Sequence, residues 1–440
     1  MDSATQAALN GIDNDPDGVI GFLQTLIRLQ PQGEAAVQAA VAARLAALGA
    51  RVDELHYEPS QVPVVQEFAS ESTIVHGERT SVVGTFEGVS TGRSLILFAH
   101  PDGEPIGDVS TWQHDPFAGA IDGGRLHGWG VADDLAGVAA GISAMEAIRK
   151  AGIALSGDVV IASTPSKRHA RGVAAVLHHG WGADGAIYLH PAESGVGMQE
   201  IKALASGQLI FTVDVMGRSP DTTEPGHTAF AHLAIHPFGK AKLLIDALRA
   251  LDAERATRIR HPLLDAAVGR STNILISALK FGEPGESTRV PTRLSFTGAI
   301  SFPPPETLDA VQAEVEAALE AVIAADPFLR ENRPTLRWLS GVTGTEVPAT
   351  HPLYVSVSAA IQAVSGTTPH VNAMHTSSDI RNPLVQKGIP TVGLGPLCGD
   401  LTQTGRHDEW VDVEDYLRTV KVTAASIIAW CGAGPTDPPK

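Results

Sequence analysis

In the first two hundred residues the apolar side chains gather in short unbroken runs separated by polar, glycine-rich stretches. The clearest is Leu95-Ile96-Leu97-Phe98-Ala99, bounded by Ser94 and His100. Such a run predicts a strand buried on both faces, since neither side has to face water. Residues 159–162 and 186–189 repeat the pattern, with a helix predicted over 172–179 between them. Helical spacing also marks residues 16–50, through Val19, Phe22, Leu23 and Leu26, then Val37, Val41, Leu45 and Leu48, with Gly33 as a break. A further helix is expected over 133–150, with Asp133 at its cap and Val138, Ile142, Met145 and Ile148 on one side. Residues 51–83 alternate weakly, as strand and loop, and 112–130 read as loop. Strand, helix and strand in alternation predict an α/β fold, a mostly parallel sheet flanked by helices.

The period changes near Ser206. Residues 208–216, 273–281 and 293–301 alternate, while 230–251 and 308–324 carry helical spacing. That order predicts a small α+β domain with helices on one sheet face. After Pro334 the first pattern resumes at 352–364, 391–394 and 413–429. The expected division is therefore a first part of one domain over 1–205, an inserted domain over 206–326, and the second part of the first domain over 327–440.

Charge and composition narrow the partners. The 440 residues carry 49 acidic and 32 basic side chains, for a net charge of −17. Nucleic acid is not expected as a partner, because no excess of Lys or Arg is left to neutralise phosphates. No apolar run approaches the length of a bilayer crossing, so no membrane contact is expected. Residues 1–5 lack a basic and then apolar leader, and two cysteines, Cys398 and Cys431, cannot form a disulfide framework. These features predict a cytoplasmic protein.

Candidate chemistry begins where the first strand ends. His100-Pro101-Asp102 places an imidazole at the carboxyl end of a sheet strand, where open α/β sheets build their sites. Asp102 is expected to accept the second ring N–H of His100 and so leave one nitrogen for a metal. Gly128-Trp129-Gly130-Val131-Ala132-Asp133-Asp134 brings a carboxylate to a helix start, and Gly405-Arg406-His407-Asp408-Glu409-Trp410-Val411 brings a second imidazole. Trp112, Asp115-Pro116-Phe117, Ser378-Asp379-Ile380-Arg381, Gly388-Ile389-Pro390 and Gly395-Pro396 complete the set.

In this order the motifs resemble the metallo-exopeptidase and aminoacylase family that includes carboxypeptidase G, acetylornithine deacetylase and succinyl-diaminopimelate desuccinylase. The resemblance spans nearly the whole chain. It implies a zinc-exopeptidase-like catalytic domain, with an inserted lid domain through which a homodimer or larger homo-oligomer forms. It also implies His100, Asp133 and His407 as metal ligands, Asp133 bridging two ions. The family's Glu-Glu pair, a general base followed by a ligand, falls on Ser166 and Lys167. Neither can replace it, since a serine is no carboxylate base and a protonated lysine ligates nothing. The ligand position before Pro191 is His190, which is a competent donor.

One ion, held by His100, Asp133 and His190, is therefore expected per chain, as Zn, Mn, Co or Fe. The second set, Asp133, Lys167 and His407, is broken, and the Lys167 ammonium is expected near the second cation's place. Without the base, hydrolysis is expected of an activated C–N bond in a small carboxylate. The best candidate is deamination of an aromatic amine of the 5-nitroanthranilate kind by metal-activated hydroxide, a step in aromatic catabolism. One divergent relative in the family, 5-nitroanthranilate aminohydrolase, performs chemistry of this type. Asp102, Lys167, Arg381 and His407 are the expected catalytic residues, with Lys167, Arg381 and His407 open to the substrate carboxylate and His407 protonating the departing ammonia. Two alternatives stand beside this. One is an amidase, dipeptidase or deacylase of N-acyl amino acids using another base, such as His169, Glu193 or His375. The other is an inactive family member serving as a binding protein.

Overall fold

A computed structural model describes residues 2–191, 195–283, 285, 287–373, 377–399 and 408–433. The chain divides into two compact units, one of residues 1–65, 74–204 and 346–440, the other of residues 66–73 and 205–345.

The first unit is built on a six-stranded sheet. Its strands are β1 Arg51–Tyr57, β2 Arg79–Phe86, β3 Leu95–Ala99, β4 Val159–Ser163, β5 Gly185–Leu189 and β6 Thr391–Leu394, in the order β1-β2-β4-β3-β5-β6. β4, β3, β5 and β6 run parallel, and β2 joins them antiparallel to both β4 and β1. Every residue of β3, β4, β5 and β6 is buried, as unbroken apolar runs require. Helices Ala136–Lys150 and Val413–Cys431 bury most of their residues in the same core.

The helix expected from Asp133 begins later. Val131–Leu135 forms a wide turn in which Asp133 and Asp134 are non-helical, joined by a cis peptide bond, and regular helix starts at Ala136. The carboxylate that caps it is Asp134, whose Oδ1 accepts the Gly137 N–H at 3.2 Å. Asp133 is thereby left free to point elsewhere. The helix lies close against β5 because residue 137 is glycine; a Cβ there would stand 2.3 Å from the Leu189 carbonyl oxygen.

In the second unit, five strands follow the order Asn273–Phe281, Arg293–Phe302, Gly207–Met216, Thr335–Val342 and Glu67–Ala69, all antiparallel. Helices Pro237–Arg258 and Leu308–Ala325 cover the buried side chains Leu209, Phe211, Val213, Phe296 and Ile300. This unit runs past residue 326, the expected end of the insertion, because Thr335–Val342 pairs along Gly207–Met216. The helix expected from Phe230 starts instead at Pro237, whose fixed φ and missing N–H suit a first helical position.

Candidate active site

His100 leaves the end of β3 and is only 2% exposed. Its Nε2 lies 2.9 Å from Asp133 Oδ1. Its Nδ1 lies 2.8 Å from the backbone carbonyl of Asp102 and 3.5 Å from that residue's carboxylate. Asp102 thus faces the ring, with its main-chain carbonyl nearer than its carboxylate. The Asp102 carboxylate is taken up by the backbone N–H groups of Ser166 and Lys167, each donating at 2.9 Å. Asp102 thus links the end of β3 to the loop after β4.

That loop carries the two residues standing where the resemblance places a Glu pair. The Lys167 ammonium ion-pairs with Asp133 Oδ2. Ser166 Oγ donates to Asp379 Oδ2 at 2.7 Å. Burial alone would lower the Lys167 pKa and raise that of Asp133. Their mutual attraction outweighs it, so the ammonium is held above its usual range and the carboxyl well below. Burial likewise opposes charge on His100, yet Asp133 and Asp102 hold its pKa up at about 10.

His190 follows β5, and its Nε2 stands 3.9 Å from Asp133 Oδ1. The backbone there is pinned to β6, with His190 N–H donating to the Leu394 carbonyl at 2.9 Å. Residue 395 must be glycine for this approach, since a Cβ would fall 2.0 Å from the His190 carbonyl oxygen. Two imidazole nitrogens therefore converge on one oxygen of Asp133, while a lysine takes the other. Two neutral imidazoles and a carboxylate suit one divalent transition ion. The second carboxylate oxygen is already neutralised by Lys167. Beside Lys167 and Asp102 opens a cavity of about 170 Å³, lined also by Glu34, Arg79, Trp129 and Arg168.

Arg381 differs from expectation. It is 1% exposed, and two of its nitrogens already donate, to Asn382 Oδ1 at 2.7 Å and to the Val65 carbonyl at 3.1 Å. A guanidinium so engaged ties its own turn to the segment at Val65 and is not open to a substrate carboxylate. His407, with the alternative bases Glu193 and His375, lies outside the described residues.

Sequence reasoning missed Glu409. This buried carboxylate accepts the N–H groups of Gly130 at 2.9 Å, Ala132 at 2.8 Å and Asp133 at 3.2 Å. It fixes the backbone that aims Asp133. Burial, against those hydrogen bonds, pushes its pKa up to about 7. Its signal in the sequence was position alone, at the end of the His407-Asp408-Glu409 run.

The fold recurs among solved structures. Human carnosine dipeptidase 1 superposes with a TM-score of 0.70 at 18% identity, covering 98% of this chain and 99% of that one. The dipeptidase Dug1p of Saccharomyces cerevisiae gives 0.72 at 14% identity, with the same coverage. In sequence, the chain is 26% identical to the N-formyl-4-amino-5-aminomethyl-2-methylpyrimidine deformylase of Bacillus subtilis (strain 168), over 98% of this chain and 99% of the relative. It is also 26% identical to the succinyl-diaminopimelate desuccinylase of Rhodospirillum centenum (strain ATCC 51521 / SW), over 78% and 83%. The family model described as Peptidase family M20/M25/M40 matches residues 96–429, from inside β3 to the last turns of the final helix. The chain accordingly belongs to that peptidase family and is a metal-dependent hydrolase of C–N bonds.

Proposed function

We propose that this chain hydrolyses an activated C–N bond of a small carboxylate at a centre holding one divalent metal ion through His100, Asp133 and His190. The observation that carries the reading is the ion pair of Lys167 with Asp133. An ammonium in that place supplies the second positive charge where the family has a ligand carboxylate, and Ser166 beside it stands where the family has its base. A divalent ion at the centre contributes Lewis acidity, lowering the pKa of water. The protein's own residues do the remainder. Lys167 keeps Asp133 ionised and presents a cation toward the adjoining cavity. Asp102 positions Lys167 and the His100 ring together.

Cleaving an unactivated amide needs a base for water and an acid for the leaving amine. An aromatic amine bearing a ring nitro group asks less, because the ring itself spreads the developing negative charge. The sharpest candidate substrate is an amine of the 5-nitroanthranilate kind. His407 is the residue we assign to protonating the departing ammonia. The full-length similarity to a deformylase favours a second reading, deacylation of an N-acyl amine. The acidic balance and the two buried free cysteines support a cytoplasmic protein acting on small molecules.

The test is a metal-loaded enzyme offered nitro-substituted anthranilates, with ammonia release as readout, beside a panel of N-formyl, N-succinyl and dipeptide substrates. Ammonia from the aryl amines is the expected result. Turnover of the acyl panel with none of the aryl amines would establish the second reading in its place.

A further inference from the structure

A second group of metal-type donors lies apart from His100, Asp133 and His190. Among the described residues, the trio whose donor atoms all fall within 4.8 Å of one another is His114, His127 and Asp408. Three separate segments bring them together. His127 ends the short strand Arg125–His127, which pairs antiparallel with Trp410–Asp412, so that Trp410 lies opposite His127. Asp408, two residues before Trp410, is thereby carried past the end of the pair. Its carboxylate accepts the N–H of Gln113 at 3.0 Å and of His114 at 2.9 Å, drawing in the loop that holds the second imidazole.

The ring geometry follows from this. The His114 and His127 rings stack with centroids 3.8 Å apart and planes 12° from parallel. His114 Nδ1 stands 3.2 Å from Asp408 Oδ1, and its Nε2 stands 3.5 Å from Asp122 Oδ2. The independent sign of a ligand is His127, which is 6% exposed with an Nδ1 that has no hydrogen-bond partner among the described residues. A buried imidazole nitrogen left so is costly unless something binds it. His114 and Asp408 keep 25% and 23% of their side chains exposed, which leaves an entry path and room for completing waters.

We propose that His114, His127 and Asp408 form a second binding site for a divalent transition ion of the Zn²⁺ type, separate from the reaction centre. Two imidazoles and one carboxylate are borderline ligands of the kind such ions prefer over Mg²⁺ or Ca²⁺. Donors about 2.1 Å from a tetrahedral ion stand roughly 3.4 Å from one another; because imidazole lone pairs lie in the ring plane, the two rings must turn out of their parallel stack to converge on one ion. The ion would take the place of the direct contact between His114 Nδ1 and Asp408 Oδ1.

The test uses the whole chain carrying Asp133→Ala, which removes the carboxylate proposed to hold the ion of the first centre. Co²⁺ serves as probe, read by its visible absorption and by equilibrium dialysis with Zn²⁺. One ion per chain should remain bound in this variant. Adding His127→Gln should weaken its binding by at least tenfold. His114→Gln, at a partly exposed position, gives the same readout should the buried substitution disturb folding. In the otherwise wild-type chain, either change should lower the bound metal by one equivalent. Unchanged stoichiometry and affinity in both histidine variants, or no ion bound by Asp133→Ala, would overturn the proposal.

Discussion

Lys167 gives the centre its character. Replacing it by Ala leaves the proposed donors His100, Asp133 and His190 in place and removes the ammonium paired with Asp133. The expected result is a metal-loaded enzyme with kcat/KM lowered roughly 10²-fold, in keeping with the worth of one preorganised charge in an active site. Full activity in that variant, checked by steady-state kinetics and metal content, would remove Lys167 from the machinery. His100 supplies a second outcome, tied to pH. With its pKa held at about 10 in the metal-free protein, the ring is protonated at neutral pH and its proton must leave when a metal binds. Metal affinity should therefore rise with pH, by about tenfold per unit, until pH 10 is approached. Calorimetry in buffers of different ionisation enthalpy should count a released proton at pH 7. The sign for folding is the reverse. A raised histidine pKa stabilises the metal-free fold fully below the unfolded value near 6.5, and that contribution fades as pH rises through about 10.

At the level of elements, what the sequence made legible was whatever rests on a local period. β3, β4 and β5 stand where unbroken apolar runs predict them, because strands buried on both faces leave no other pattern. Where chemistry overrides period, the prediction slipped. Residues 133–150 read as one helix, yet Asp133 and Asp134 lie in a turn held from outside by Glu409, some 280 positions away in the chain, which no local window can see. Thr335–Val342 was missed for a similar reason, since its partner strand is Gly207–Met216. Residue type alone allows Arg381 to be an open cation; only packing shows it enclosed. One element also makes a prediction of its own. Asn273–Phe281 is an edge strand of the second unit, and Leu275 and Leu279 on it are 59% and 56% exposed. Apolar edges of this kind pair with another chain unless they are blocked. Light scattering on purified protein should show a homodimer or larger assembly. Leu275→Lys with Leu279→Lys should shift it toward monomer while the circular dichroism stays unchanged. A wild-type chain that is monomeric at high concentration would refute the assignment of this edge.

Across the whole molecule, the two units have separate hydrophobic cores, one around β3 with helices Ala136–Lys150 and Val413–Cys431, the other around Phe211, Phe296 and Ile300. The proposed donors His100, Asp133 and His190, and also His114, His127 and Asp408, all belong to the first unit. A ligand stabilises whatever must stay folded to bind it, by about 2.7 kcal/mol when present at a hundred times its Kd. Removing metal with a chelator should therefore lower the melting of the first unit selectively. Within it, the loss should concentrate where the proposed donors meet, at an imidazolium, an ammonium and a carboxylate buried together. Differential scanning calorimetry should show the effect as one transition moving down while another holds its temperature. Hydrogen exchange then locates it, with protection falling in 99–102, 131–137 and 164–172 and persisting in the strands of 207–216 and 293–302. Equal loss of protection in both units on chelation would mean that the chain unfolds as one body, and that the metal supports all of it.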